Sequence, residues 1–280
     1  MTVIIDDLTI RLPLLNGGVV HAVTRVSLTL EQGRIHAVVG ESGCGKSMIA
    51  QALTGMLPRS AKVTGNITYE GQSIFGRERE LAGRNIALIP QSAATFLTPV
   101  RTVGSQLTET VTVLGGPLTP SELMSHVDLS PTALSLYPHE LSGGMAQRAA
   151  VAFALAGNPQ VIIADEPTAS LDPDLTVGLL RLLRRTADAG AAVILITHDI
   201  AELIDSGAAD TVSVMYASRM VESGQARDIL AGGAKERYTR DLLAALPRNG
   251  LHMMPGVPPV LTDLPETYNY AARLSAAGAL

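Results

Sequence analysis

The segment Gly40-Glu41-Ser42-Gly43-Cys44-Gly45-Lys46-Ser47 constrains this chain more than any other. It separates a short apolar run, Arg34–Val39, from a stretch patterned as a helix, Met48–Leu57. A glycine-rich turn between a buried strand and a helix lets backbone N–H groups curl around phosphate oxygens, and the helix N-terminus adds partial positive charge. In that setting Lys46 is placed to meet the β- and γ-phosphates of a nucleotide, and the Ser47 hydroxyl to ligate Mg²⁺. The segment Gly40 through Met48 is therefore the candidate nucleotide cradle. The plain alternative, a ligand-free turn, is opposed by the strand before it and the helix after it.

A second constellation completes such a site. Val161-Ile162-Ile163-Ala164 reads as a strand buried on both faces and runs directly into Asp165-Glu166. Carboxylates at a strand's C-terminal end sit where α/β sheets bind ligands. Asp165 is placed to hold Mg²⁺, and Glu166 to orient the water that attacks the γ-phosphate. A further apolar run, Ala192–Ile196, is followed by Thr197 and His198, so His198 faces the same phosphates. Gln91, after the strand-like Asn85–Pro90, can reach both metal and water. The other histidines show no ligand spacing and are expected to be structural.

Composition excludes several classes. Of 280 residues, 46% are hydrophobic and 17% charged, as in a globular protein, and the net charge of -5 argues against nucleic acid as a partner. No run approaches the roughly 18 apolar residues of a membrane-spanning helix. The start has neither a basic nor a long apolar segment of secretory type. Cys44 is the single cysteine, so an intrachain disulfide and a thiolate-held metal cluster are excluded. These features point to the cytosol, with any membrane role exerted through partners.

Strands are expected over residues 2–10 and 18–30, then a helical insertion over about 92–158, and a helix from Leu175 to Ala189 between the two central strands. The expected division is a nucleotide-binding domain over residues 1–230 and a C-terminal extension over 231–280. Within the insertion, Leu141-Ser142-Gly143-Gly144-Met145-Ala146-Gln147-Arg148 opens a second helix on Ser-Gly-Gly, a second backbone-amide anion site. Two such sites in one chain suggest a nucleotide sandwiched between two copies.

This segment resembles the signature motif of ABC transporter ATPases. Gln91 as Q-loop, Asp165-Glu166 as Walker B, Ser170-Leu171-Asp172 as D-loop and His198 as switch histidine stand in the order of that family. The resemblance implies an α/β P-loop ABC cassette with a RecA-like core sheet, an N-terminal antiparallel β subdomain and a helical signature subdomain. It implies ATP and Mg²⁺ as ligands, and a head-to-tail dimer in which Ser142, Gly143, Gly144 and Asp172 approach the ATP held by the opposite subunit.

Within the family, Gln91–Val100, Leu136–Glu140, Met145 and Tyr238–Leu243 are similar to the ATPases of peptide, nickel and metal-chelate importers. That likeness implies two transmembrane permease subunits, a second and non-identical ABC ATPase, and an extracytoplasmic substrate-binding protein. It places the chain peripherally at the cytoplasmic face of the membrane. The rival reading, a soluble ABC ATPase of DNA repair or translation, lacks its usual tandem cassette or zinc-binding cysteines here.

Two departures stand out. The aromatic on which many cassettes stack adenine is missing; the corresponding count back from Lys46 lands on Gly17, leaving Val20 or His21 as substitutes. The tail, residues 255–272, resembles the stretch leading to an iron–sulfur cluster in some relatives, yet a cluster needs several thiolates and only Cys44 exists. Leu264, Tyr268 and Tyr270 are instead expected to cover a neighbouring surface, with fraying beyond Arg273 as the alternative.

Overall fold

The computed structural model describes residues 2–15, 17–169 and 171–279. Two sheets organise the chain. The first comprises β1 (Thr2–Pro13), β2 (Val19–Glu31), β4 (Lys62–Tyr69) and the short β5 (Gln72–Ser73), in the order β2-β1-β4-β5, all antiparallel. Alternation makes it one-sided: Val3, Ile5, Leu8 and Ile10 are buried while the residues between them are more exposed.

The second sheet contains β3 (Ile35–Val39), β6 (Ile86–Ile89), β7 (Val161–Asp165), β8 (Ala192–Thr197), β9 (Thr211–Tyr216) and β10 (Arg219–Gln225), in the order β10-β9-β3-β8-β7-β6. All its pairings are parallel except the β9–β10 hairpin. β3, β7 and β8 are continuous apolar runs because both of their faces are covered. The expected strands at 2–10, 18–30, 34–39 and 85–90 all form, with boundaries shifted by a few residues.

Between β6 and β7 lies the helical insertion. Its main helices span Val103–Leu114, Pro120–His126 and Gly143–Leu155. Their starts follow local chemistry: Thr102 accepts from the Ser105 amide, and Thr119 forms a capping box with Glu122. The largest hydrophobic core joins these helices to the helix Pro173–Asp188 and one face of the parallel sheet; a second lies between the two sheets and holds the helix Lys46–Thr54.

The tail packs through apolar and tyrosine contacts, as expected, and the surface it covers is that of the cassette: Leu264, Tyr270 and Leu274 are buried in its core and Tyr268 packs against it. Order continues past Arg273, against the alternative of fraying, because a helix spans Tyr270–Ala276, capped by Asn269. Its four-ring cluster explains why. Tyr216 of β9 lies 4.4 Å from Tyr238, 5.4 Å from Tyr270 and 6.3 Å from Tyr268 between ring centroids. The tail also pairs with β2, through His21 N–H to the Leu261 carbonyl at 2.9 Å and Asp263 N–H to the Val19 carbonyl at 2.8 Å. Val20 and His21 are thus half-buried under the tail.

Candidate functional site

Four adjacent parallel strands, β3, β8, β7 and β6, end on one edge of the sheet in matched register: Val39 beside Thr197, Ile196 beside Asp165, Ala164 beside Ile89. The residue following each strand therefore arrives at the same place. Gly40, His198, Glu166 and, after Pro90, Gln91 are brought together by backbone pairing alone.

The loop after β3 turns where only glycine fits. Gly40 has φ 152° and Gly45 φ 110°, and a Cβ on them would fall on the carbonyl oxygens of Met215 and Ala22. Ser42 and Gly43 are exposed, Glu41 is half-buried and Cys44 is buried. Burial pushes the Cys44 thiol up in pKa against the opposing pull of Lys46, so Cys44 is a packed thiol rather than a reactive one. Lys46 is 4% exposed, and its ammonium donates to the carbonyls of Gly40 at 2.8 Å and Glu41 at 3.0 Å. Met48 donates its amide to Gly45 and packs against the core between the sheets.

Ser47 Oγ donates to Asp165 Oδ1 at 3.0 Å. Burial, and next the charge of Glu166, raise the Asp165 pKa, opposed by the Ser47 hydrogen bond and Lys46. Glu166 lies just beyond β7 with φ 48°, a left-handed conformation costing a non-glycine residue about 1–3 kcal/mol. Its amide continues the ladder to the Ile196 carbonyl at 2.8 Å. That backbone reversal aims the carboxylate at its neighbours: Oε2 accepts from Gln91 Nε2 at 3.1 Å and lies 3.3 Å from His198 Nδ1. Gln91 thus presents its amide nitrogen to Glu166, a partner that residue type and position alone did not name.

The remaining predicted residues stand apart. Ser142 accepts from the Met145 amide at 3.3 Å and caps the helix Gly143–Leu155; Ser142 and Gly143 are exposed, while Gly144 is buried beside Leu175. Asp172 accepts from the Leu175 amide at 3.0 Å and caps the helix Pro173–Asp188. Among the described residues no hydrogen bond joins Ser142, Gly143, Gly144 or Asp172 to the phosphate loop. Ser170 of the expected D-loop lies outside the described residues.

Sequence reasoning missed one group here. Arg273, 3% exposed, reaches from the C-terminal helix to Glu41 with Nη1 at 2.7 Å from Oε2 and Nη2 at 3.2 Å from Oε1. No periodicity marks that residue, and only the tail's fold brings it to the loop.

A phosphate loop with a buried lysine, a serine–aspartate pair beside it and a carboxylate set between an amide and an imidazole define a P-loop nucleotide-hydrolysing cassette. Residues 23–169 match the family model described as ABC transporter. The chain belongs to the ABC transporter family, and it is an ATPase of that family. It is 39% identical to the dipeptide transport ATP-binding protein DppD of Bacillus subtilis, over 92% of this chain and 82% of that protein. It is 38% identical to the probable D,D-dipeptide transport ATP-binding protein DdpD of Escherichia coli, over 98% of this chain and 89% of that one. In fold it is similar to a dimeric post-hydrolysis state of the ATP-binding cassette MJ0796 bound to ADP and Pi, with TM-score 0.69, 22% identity, and coverage of 80% and 99% of the two chains. Among the described residues no helix is long and apolar enough to cross a membrane.

Proposed function

We propose that this chain is the ATPase subunit of a peptide importer, seated at the cytoplasmic face of the membrane beneath two permease subunits. The observation that carries the chemistry is Glu166 Oε2, held between Gln91 and His198 at the mouth of the phosphate loop. From there the carboxylate orients a water and takes its developing charge, while His198 and Gln91 fix the carboxylate's direction. Lys46 and the amides from Gly40 to Met48 hold the phosphates.

The donor set suits magnesium: Ser47 Oγ and the Asp165 carboxylate are hard oxygens side by side, and Gln91 is hydrogen-bonded to the adjoining Glu166. Among the described residues no cluster of three or more His, Cys, Asp or Glu side chains competes as a metal site. When bound there the ion would polarise the γ-phosphoryl oxygens.

The exposure of Ser142 and Gly143, apart from their own phosphate loop, supports a composite site: each nucleotide would lie between one chain's loop and the signature helix and Asp172 of a second ATPase, non-identical to this one. The peptide class of cargo rests on the relatives named above, with an extracytoplasmic binding protein delivering it.

The test is reconstitution with the two permeases in liposomes. A peptide-loaded binding protein should stimulate ATP hydrolysis, and a nickel-chelate-loaded one should not. Stimulation by DNA ends or ribosomes, with none by permeases, would overturn the importer reading.

A further inference from the structure

Glu41 is a carboxylate inside a loop built to receive phosphate anions, and the structure gives it a dedicated cation. The Arg273 guanidinium makes a two-pronged pair with both Glu41 oxygens and also donates to the carbonyls of Pro255, from Nε at 2.8 Å, and Gly256, from Nη2 at 3.2 Å. Its Cζ lies 5.7 Å from the centre of the Tyr270 ring. The Tyr238 hydroxyl adds a second tie, accepting from the Glu41 amide at 3.2 Å and facing Oε2 at 3.3 Å. A buried fork tied by four hydrogen bonds is a fixed element, not a mobile surface pair. Glu41 also supplies one of the two carbonyls that receive Lys46, so whatever holds Glu41 holds part of the phosphate-binding lysine's surroundings. Pro258, Pro259 and Leu261 close on the same loop, lining a narrow cleft with Ser42, Gly43 and Cys44.

We propose that Arg273 is a positioning residue for nucleotide: it cancels the Glu41 charge and locks the phosphate loop, so that the C-terminal extension sets the affinity of the chain for ATP. The role rests on the nucleotide-binding reading above. It differs from a merely structural ion pair in one respect. Removing the arginine leaves an uncompensated carboxylate beside the incoming phosphates, and removing the carboxylate as well should repair the defect.

The experiment is titration of the full-length chain with the fluorescent analogue MANT-ATP in magnesium buffer, with thermal melting to establish folding. Arg273→Met keeps the apolar stem and should weaken binding about tenfold or more. Glu41→Gln alters only the side chain and keeps the backbone amide and the carbonyl that receives Lys46, so in combination with Arg273→Met it should return binding to within about threefold of wild type. In the reconstituted transporter Arg273→Met should raise KM for ATP with kcat changed less than about twofold. Binding by Arg273→Met equal to wild type overturns the proposal, and so does a double variant as weak as the single one. Should Arg273→Met alone fail to fold, the double variant decides: near-wild-type binding upholds the charge argument, and a tenfold loss defeats it. Failure of the wild-type chain to bind MANT-ATP would instead strike the nucleotide reading itself.

Discussion

Ser47 and Asp165, 118 residues apart, meet at 3.0 Å because β3 and β7 flank β8 in one parallel sheet and end level with each other. One residue opens the helix after the phosphate loop and the other ends β7. The contact is thus a direct reading of sheet register, and it sets two side-chain oxygens side by side at the start of the helix.

Asp165 should trade stability for activity. Its carboxyl titrates above the ordinary aspartate range, chiefly through burial and next through the Glu166 charge. Unfolded, the same group ionises at its ordinary pKa, so between the two values the native state binds more protons and stability falls as pH rises. Above both values the cost persists. Asp165→Asn should therefore melt higher than wild type at neutral pH without nucleotide, with the difference closing below the ordinary aspartate range. Its ATP turnover should fall by about a hundredfold or more. A calorimetric scan at acid and neutral pH, beside a phosphate-release assay, checks both halves.

Glu166→Gln should retain MANT-ATP binding yet lose about a thousandfold in turnover in the reconstituted transporter, since the amide cannot take the water's proton. Lys46→Ala should do the reverse at the binding step, weakening MANT-ATP about tenfold to a hundredfold through loss of a charge-assisted hydrogen bond donor. Turnover by Glu166→Gln close to wild type would remove Glu166 from its assigned role.

Ser142 lies exposed at the start of its helix and away from its own phosphate loop, so its effect should appear in trans. In a mixed dimer, Ser142→Ala on this chain should slow hydrolysis at the site containing the partner's lysine. The lost cap should cost the helix about 1 kcal/mol. Single-turnover assays with one site disabled at a time distinguish the two sites. Damage confined to the site containing Lys46 would argue against the composite arrangement.

His36 should govern part of the acid limb of stability. It is buried, with Nδ1 at 2.8 Å from Thr211 Oγ1 and Nε2 at 3.0 Å from Ser213 Oγ, and burial depresses its pKa from 6.5 to about 4. As pH falls from 6.5 towards 4 the unfolded chain takes up a proton that the native chain refuses, so stability declines across that window. The loss attributable to this group is about 3 kcal/mol between neutrality and the lower end. His36→Asn should flatten the decline in urea unfolding series, even if its stability at pH 7.5 is lower. An unchanged acid limb would assign the sensitivity elsewhere.

Much of this site was legible in one dimension. Gly40–Ser47 announces itself because the turn needs glycine at positions where a side chain would strike backbone, and that need is local. The runs Val161–Ala164 and Ala192–Ile196 are apolar throughout because strands covered on both faces must be, so Asp165, Glu166 and His198 could be placed at strand ends directly from the sequence. The β9–β10 hairpin escaped notice because Arg219–Gln225 is short, polar and half-exposed, with no clear alternation to betray it. The short helix Ile200–Ser206 likewise follows β8 with too few residues to show a period.

The sequence by itself determined the local features present: a glycine-rich loop between strand and helix, two carboxylates behind a buried strand, a second helix opening on Ser-Gly-Gly, and a single thiol. It did so because glycine geometry, apolar runs and helix caps are written in adjacent residues. Tertiary structure alone decided which groups meet. The left-handed Glu166 that turns its carboxylate to Gln91 and His198, the tail folded onto Tyr216 rather than outward, and the pairing of Arg273 with Glu41 all depend on contacts between distant segments. Charge and hydrogen bonding act through space with no period along the chain, so such pairings emerge only once the sheet edge and the tyrosine cluster have fixed where each segment lies.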